Sequence, residues 1–342
     1  MSLVGVAEIA ELVGVSKQVI ANWRSRKADF PPPVAELKSG PVWSRDAILE
    51  WARSEDLEIQ GVEDDDVKPA PTRRAVVSAM MNMKGGVGKS TLAANLGWYA
   101  AYSKDKRVLL VDLDPQFNLS QYIFGAQGYE QLLAEEAPTV EAIFQGTANA
   151  DQVINKFKNW RGGSCLHIVP ANLELAWQMK YVVDKPHMLH EFIEEVRSDY
   201  DLILIDCSPT ESILSTAAYM SADYIFVPVR PEFLSTIGLP LLLRSMKEFG
   251  RSHKSRPVPE IGGIIFNDTG EKVEHDRSRE YVEEFAANNG LTVFENDVSH
   301  SDSYPAGARV GKPIFMTDNA RSWKVSEFAR VANEFLDKVG LR

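Results

Sequence analysis

The chain has 342 residues, of which 44% are apolar and 25% charged, with a net charge of −11 and two cysteines. That is the composition of a globular protein with two domains, or one large domain with an appendage. The acidic balance argues against a general polyanion-binding surface, and no apolar run approaches the roughly 18–20 residues that span a bilayer. The opening "MSLVGVAEIAELVG" lacks the basic leader of a signal peptide, and Cys165 and Cys207 have no metal-site spacing, so a reducing cytoplasm is the expected compartment.

The first expected element is "VAEIAELVG", which places Val6, Ile9, Ala10 and Val13 on one helical face and ends at Gly14. Ser16 then caps "KQVIANWRSR", which buries Ile20 and Trp23 and exposes Lys17, Gln18, Ala21, Asn22 and Arg24. A local basic patch (Lys17, Arg24, Arg26 and Lys27) falls here with no acid among it. Helix, glycine turn and capped helix are helix-turn-helix grammar, and the exposed residue types suit base edges and phosphates. "FPPPVAELKSGPVWS" reads as a hairpin or wing around Ser39-Gly40, and Ser44 caps a third helix, "RDAILEWARS". Through Ala10-x-x-x-Gly14, Val15-Ser16, Ile20 and Trp23, residues 1–54 resemble the small winged helix-turn-helix modules of the MerR/excisionase and terminase small-subunit type. The resemblance implies DNA binding through Lys17, Gln18, Asn22 and Arg24.

A seam follows. Residues 55–74 carry Glu63, Asp64, Asp65 and Asp66 beside Pro69 and Pro71, with little to bury, and read as an acidic flexible linker.

Beyond it the pattern alternates strands with helices. The runs 75–81, 107–112, 166–170, 201–206, 224–229 and 261–267 are short and nearly continuously apolar, as strands buried on both faces are. The expected fold of 75–342 is therefore α/β, a doubly wound and mostly parallel sheet between helices. Its chemistry begins at "MNMKGGVGKS", where Gly88, Lys89 and Ser90 end a phosphate loop between the first strand and a helix, although Met83 replaces the usual first glycine. The loop residues Lys84, Gly85, Gly86, Val87, Gly88, Lys89, Ser90 and Thr91 are expected to cradle a nucleotide, with Lys89 on the β- and γ-phosphates and Ser90 on Mg²⁺. Asp112, Asp114 and Asp206 stand at strand ends facing the phosphates and imply a metal between the like charges.

K-G-G-V-G-K-S, D-L-D-P-Q and L-I-D-C-S-P, with "VPVRPEFLSTIGLPLLL" and the late "GKPI", resemble the deviant Walker ATPases, and most closely the ParA plasmid and chromosome partition ATPases. The resemblance implies ATP and Mg²⁺ as cofactors and slow, partner-stimulated hydrolysis. It gives Lys84 a reach across a homodimer to the partner's ATP, and it gives Asp114 the attacking water. Asp112, Asp206 and Ser90 become the magnesium residues, and Asn267 an adenine contact. It also implies DNA and a ParB-like centromere-binding protein as partners, nucleoid association, and no membrane. Iron-protein cysteines and a C-terminal tyrosine cluster are missing from the sequence. The tail helix, with Val325, Phe328, Val331 and Phe335 on one face, is expected to dock on the core. Two other readings stay open: a nucleotide-regulated repressor of its own operon, and an ATPase that positions another cargo. One departure stands out. The stretch ahead of "GKPI", where ParA proteins carry DNA-binding arginines, holds Glu295, Asp297 and Asp302 with only Arg309, and Phe117 replaces a small residue. The N-terminal module is therefore expected to carry more of the DNA binding.

Overall fold

The computed structural model describes residues 3–26, 30–37, 40–44, 47–48, 51–52, 74–178, 185–233, 237–270, 273–318 and 320–342. The chain divides into two units, residues 1–66 and 67–342.

In the first unit a short strand β1 (Leu3–Gly5) leads directly into the helix Val6–Leu12. That helix closes with Val15 N–H on the Ala10 carbonyl and Gly14 N–H on that of Glu11, the paired bonds of a Schellman end. The chain turns there into the helix Lys17–Arg26. Strands β2 (Ala35–Leu37) and β3 (Gly40–Ser44) pair antiparallel, and β1 adds to the far side of β3. The core is Ile9, Ala10, Val13 and Ile20 with fully buried Trp43, whose indole N–H donates to the Pro31 carbonyl at 2.8 Å. Trp23 packs edge-on to Trp51 at 5.2 Å. Strand β1 is the element that the sequence did not signal, since three residues carry no periodicity. Ala47–Ile48 and Trp51–Ala52 are helical. The rest of the third expected helix, Lys27 and Ser39, and the acidic stretch up to residue 73 lie outside the described residues. Ser44 itself ends β3 and is buried.

The second unit holds eight strands: β4 (Val76–Met80), β5 (Arg107–Leu113), β6 (Asn155–Asn159), β7 (Cys165–Val169), β8 (Leu202–Cys207), β9 (Tyr224–Val229), β10 (Glu260–Thr269) and β11 (Val298–Ser299). Their order is β11-β10-β9-β4-β8-β5-β7-β6, parallel throughout except for the antiparallel edge β6. The reason for the continuous apolar runs is visible in β5 and β8. Leu109, Val111, Ile203 and Ile205 enter one core cluster, whereas Val108, Leu110, Leu202 and Leu204 enter the cluster on the other face. All six expected strands are present. The two additional ones sit at the edges, where "NKFKN" alternates charge and β11 has only two residues.

The C-terminal helix Ser322–Lys338 docks on the second cluster through Phe328, Val331 and Phe335, all fully buried. Val325 is only half buried, and Lys324 is buried instead, next to Glu327 and the Ser299 hydroxyl.

The "GKPI" segment crosses the top of this unit. Gly311 has φ +69°, and a Cβ there would sit 2.7 Å from the Ile123 carbonyl, against the helix Asn118–Ala134. Gly311→Ala should therefore cost about 1–3 kcal/mol or more, since backbone strain and a clash with backbone add. The urea denaturation midpoint of the variant checks this, and an unchanged midpoint would contradict the close approach.

Candidate functional site

Strand β4 is flanked by β8 and β9, so the loop that follows it opens at the carboxyl edge in the middle of the sheet, where ligands of such folds bind. The loop is built from its supports upward. Asn82 is fully buried; its amide donates to the Pro228 carbonyl at 2.7 Å, and its Oδ1 accepts the Lys84 N–H at 3.0 Å. Met83, where a glycine is usual, packs its side chain against the first core cluster. Residue 88 has φ +90°, and a Cβ there would lie 2.1 Å from the Asn267 amide nitrogen, so only glycine fits. Immediately after it the helix Lys89–Trp98 begins, with first-turn N–H groups turned toward the loop.

The two lysines have different environments. Lys89 is 6% exposed, and its ammonium donates to the Lys84 carbonyl at 3.2 Å. Burial pushes its pKa down, against the upward pull of Asp206 and Asp114. The Lys84 side chain is exposed at the rim.

The carboxylates meet because β5 and β8 are neighbours in register: Asp112 pairs with Asp206 across the ladder. Both are fully buried. Asp112 accepts from Ser120 N–H at 2.8 Å, from the Ser120 hydroxyl at 2.7 Å and from Asp114 N–H at 3.2 Å, yet burial still pushes its pKa up to about 7. Asp206 is also raised, by burial first and by Asp112 second. Neither Asp206 oxygen completes a hydrogen bond of ordinary geometry, although the Ser90 hydroxyl and Lys89 are near enough to draw its pKa back. A buried carboxylate with both oxygens unpartnered beside a hydroxyl and a second acid is the donor set of a hard divalent cation, so Ser90, Asp206 and Asp112 fit Mg²⁺. Asp114 is 5% exposed and reaches the cavity beside the loop.

That cavity, about 750 Å³, runs from Gly86, Lys89 and Ser90 past Asp114 to Tyr122 and Tyr304. Its aromatic wall explains Phe117. This residue adopts φ +48° at the start of the helix Asn118–Ala134 and stacks on Tyr129 at 5.2 Å. Asn95, which the sequence did not single out, ties the wall together. Its amide donates to Thr91 O and to the Tyr122 hydroxyl, and its Oδ1 accepts Ile314 N–H at 2.8 Å.

The structure thus lines one cavity with Gly85, Gly86, Gly88, Lys89, Ser90, Thr91 and Asp114; Val87 and the Asp112–Asp206 pair are fully buried outside that lining, and the Lys84 side chain is exposed outside it. Asn267, expected as an adenine contact, is 7% exposed, and its amide N–H goes to the Val87 carbonyl at 2.9 Å, bracing the loop. Lys17, Gln18, Asn22 and Arg24 lie exposed on the helix Lys17–Arg26 of the other unit, with the Arg24 guanidinium 5.8 Å from the Trp43 ring. In the acidic stretch ahead of "GKPI", Asp297 is paired with Arg279 at 2.5 Å, and Asp302 lies 3.6 Å from His300.

Residues 75–256 match the family described as an AAA domain, AAA_31. The chromosome-partitioning ATPase Soj of Treponema pallidum is 30% identical over 267 residues, which cover 77% of this chain and 97% of Soj. Among solved structures, the ATP complex of a Cyanothece McdA variant superposes with a TM-score of 0.64 at 17% identity, over 79% of this chain and 98% of that one. A putative plasmid partition protein from Borrelia burgdorferi bound to AMPPNP gives 0.61 at 20% identity, over 78% and 100% of the two chains. At such identities the two structures speak for the fold alone.

The bracing position of Asn267 has a measurable consequence. Asn267→Ala removes one buried hydrogen bond of about 0.5–1.5 kcal/mol, so ATP and GTP affinities should fall together by roughly 2- to 10-fold. Titration with both nucleotides checks this; a loss confined to ATP would make the residue an adenine reader.

Proposed function

This chain belongs to the AAA domain family and is a ParA-type ATPase, and from that premise we propose that it segregates DNA: Mg·ATP closes two copies into a sandwich dimer, the dimer binds DNA, and slow hydrolysis releases it. ATP and Mg²⁺ are the cofactors. The observation that carries the reading is the division between the two lysines. Lys89 is buried within its own subunit's loop, whereas Lys84 is held by Asn82 with its side chain outward, free to serve a phosphate from the opposite subunit. A site completed within one subunit has no need of it.

The residues divide the chemistry. Loop N–H groups, Lys89 and Thr91 hold the triphosphate and fix the terminal phosphorus against the rim. Ser90, with Asp206 and Asp112, would hold Mg²⁺, which would supply positive charge to the phosphates. The Asp114 carboxylate, whose Oδ1 already accepts the Gln116 N–H at 2.9 Å, has a second oxygen with which to orient the attacking water. Lys84 of the opposite subunit supplies positive charge as the bond to the leaving group breaks.

The first unit is read as the sequence-reading module, a winged helix-turn-helix. Two helices joined through Gly14, a β2–β3 hairpin, and Lys17, Gln18, Asn22 and Arg24 on the exposed side of the second helix support that reading. Dimerisation would then link two weak modules and raise their effective concentration on DNA. A ParB-like protein bound to the cargo is the proposed stimulator of hydrolysis, with the ATP form held on the nucleoid in the cytoplasm. Among the described residues no helix is long and apolar enough to cross a membrane.

Two variants separate the proposed roles. Lys84→Ala should still bind ATP, yet lose the nucleotide-dependent dimer in sedimentation with a slowly hydrolysed analogue. Asp114→Ala should bind and dimerise but turn over about 10²–10⁴-fold more slowly. A Lys84→Ala dimer as tight as wild type, or wild-type turnover in Asp114→Ala, would contradict the respective role.

A further inference from the structure

The turn that follows Asp114 breaks two local rules at once. Phe117 holds φ +48°, in the left-handed region. Among the described residues only Asp105, Glu136 and Asp268 share a positive φ without being glycine, so Phe117 is the one aromatic residue in such strained backbone. Phe117 is also the N-cap of the helix Asn118–Ala134 and gives it no side-chain cap, at a position that favours Ser, Thr, Asp or Asn. Asn118, a suitable cap, falls one residue too late.

Packing alone does not require this. Phe117 is half-buried against the first core cluster and stacks on Tyr129, with centroids 5.2 Å apart and planes at 12°. Tyr129 is buried, and its hydroxyl donates to the Ala171 carbonyl at 3.0 Å, which fixes the floor of the stack. Leu113 and Val140, however, enter the same cluster from ordinary backbone. What the left-handed turn achieves is to send residue 117 away from its neighbours. Gln116 and Asn118 stay exposed and line the cavity beside Asp114, whereas Phe117 is outside that lining. Three bonds hold the turn: Gln116 N–H to Asp114 Oδ1 at 2.9 Å, Phe117 N–H to the Asp114 carbonyl at 2.8 Å, and the Asn118 amide to Gln116 Oε1 at 3.4 Å.

We infer that Gln116 orients the attacking water together with Asp114 and that the Phe117–Tyr129 stack positions Gln116, an inference that rests on the ATPase reading. One carboxylate fixes one O–H of a water and leaves the molecule free to turn about that bond. A second acceptor, on the other O–H, removes this freedom and aims a lone pair. Gln116 Oε1 has a lone pair beyond the bond from Asn118, and its Nε2 has two N–H groups to offer the terminal phosphate oxygens. A neutral amide suits the place better than a further carboxylate, which would repel both Asp114 and the phosphate. With the water held between the two side chains, its oxygen bonds to the terminal phosphorus as the bond to the ADP oxygen breaks. Both water protons end on the inorganic phosphate.

The test compares steady-state turnover, ATP titration and sedimentation with a slowly hydrolysed analogue for the full-length protein and its variants. Gln116→Ala should lower kcat about 10²-fold, with ATP affinity within about threefold of wild type and the nucleotide-dependent dimer intact. In the Asp114→Ala background the same substitution should cost less than about threefold, because two groups acting on one water are not additive. Phe117→Leu keeps an apolar side chain but loses the stack, and should lower kcat about tenfold at unchanged ATP affinity, whereas Phe117→Tyr should keep wild-type kcat. Wild-type kcat in Gln116→Ala overturns the proposal, and so do losses that simply add in the double variant. Wild-type kcat in Phe117→Leu overturns the part given to the stack. A wild-type protein that binds ATP without hydrolysing it would remove the ATPase reading itself, and this role with it.

Discussion

Everything at the carboxyl edge of the sheet follows from one electrostatic problem: two carboxylates, Asp112 and Asp206, fully buried side by side with a half-compensating Lys89. Burial alone disfavours both charges, and their mutual repulsion adds to it. Asp112 is settled locally by Ser120. Asp206 is not: neither of its oxygens has a hydrogen-bond partner, which is where a bound cation would act. A charge cluster of this kind would be relieved by a bound cation.

Three buried asparagines brace the loops around it. Asn82 ties the start of the loop to the end of β9, Asn267 ties its middle to the end of β10, and Asn95 ties the first turn of the following helix to Tyr122 and to Ile314 of "GKPI". Each uses a side-chain amide to satisfy a backbone group that the turn leaves unpaired. The helix Gly238–Ser252 arrives at the same place, since a Cβ on Gly238 would lie 2.0 Å from the Asn82 Oδ1. Asn82 thus joins the loop at Lys84, the end of β9 and the base of that helix.

The phosphate loop was legible because it is local: consecutive residues between a strand and a helix make the whole cradle. The six buried strands were legible because burial on both faces leaves apolar runs, whereas β6, with Lys156 and Lys158, and the two-residue β11 left no such mark. The pairing of Asp112 with Asp206 was implied by strand ends but needed the ladder register to become contact. Asn82 and Asn95 left no signal, since an amide bonded to a distant carbonyl has no sequence period. Asn267 was found at its strand end, but its bond to the Val87 carbonyl left no signal for the same reason. Phe117 looked like a misfit beside the family pattern until its stack on Tyr129 gave it a place.

The central claim is that the buried carboxylate pair is completed by a divalent cation together with the triphosphate. Thermal unfolding of the full-length protein with ATP and Mg²⁺, compared with ATP and EDTA, tests it most directly. Saturation at about 100 times Kd contributes about 2.7 kcal/mol, which moves the transition of a unit this size by several degrees. The account predicts that shift with magnesium and a clearly smaller one in EDTA. Equal shifts in the two conditions would contradict it.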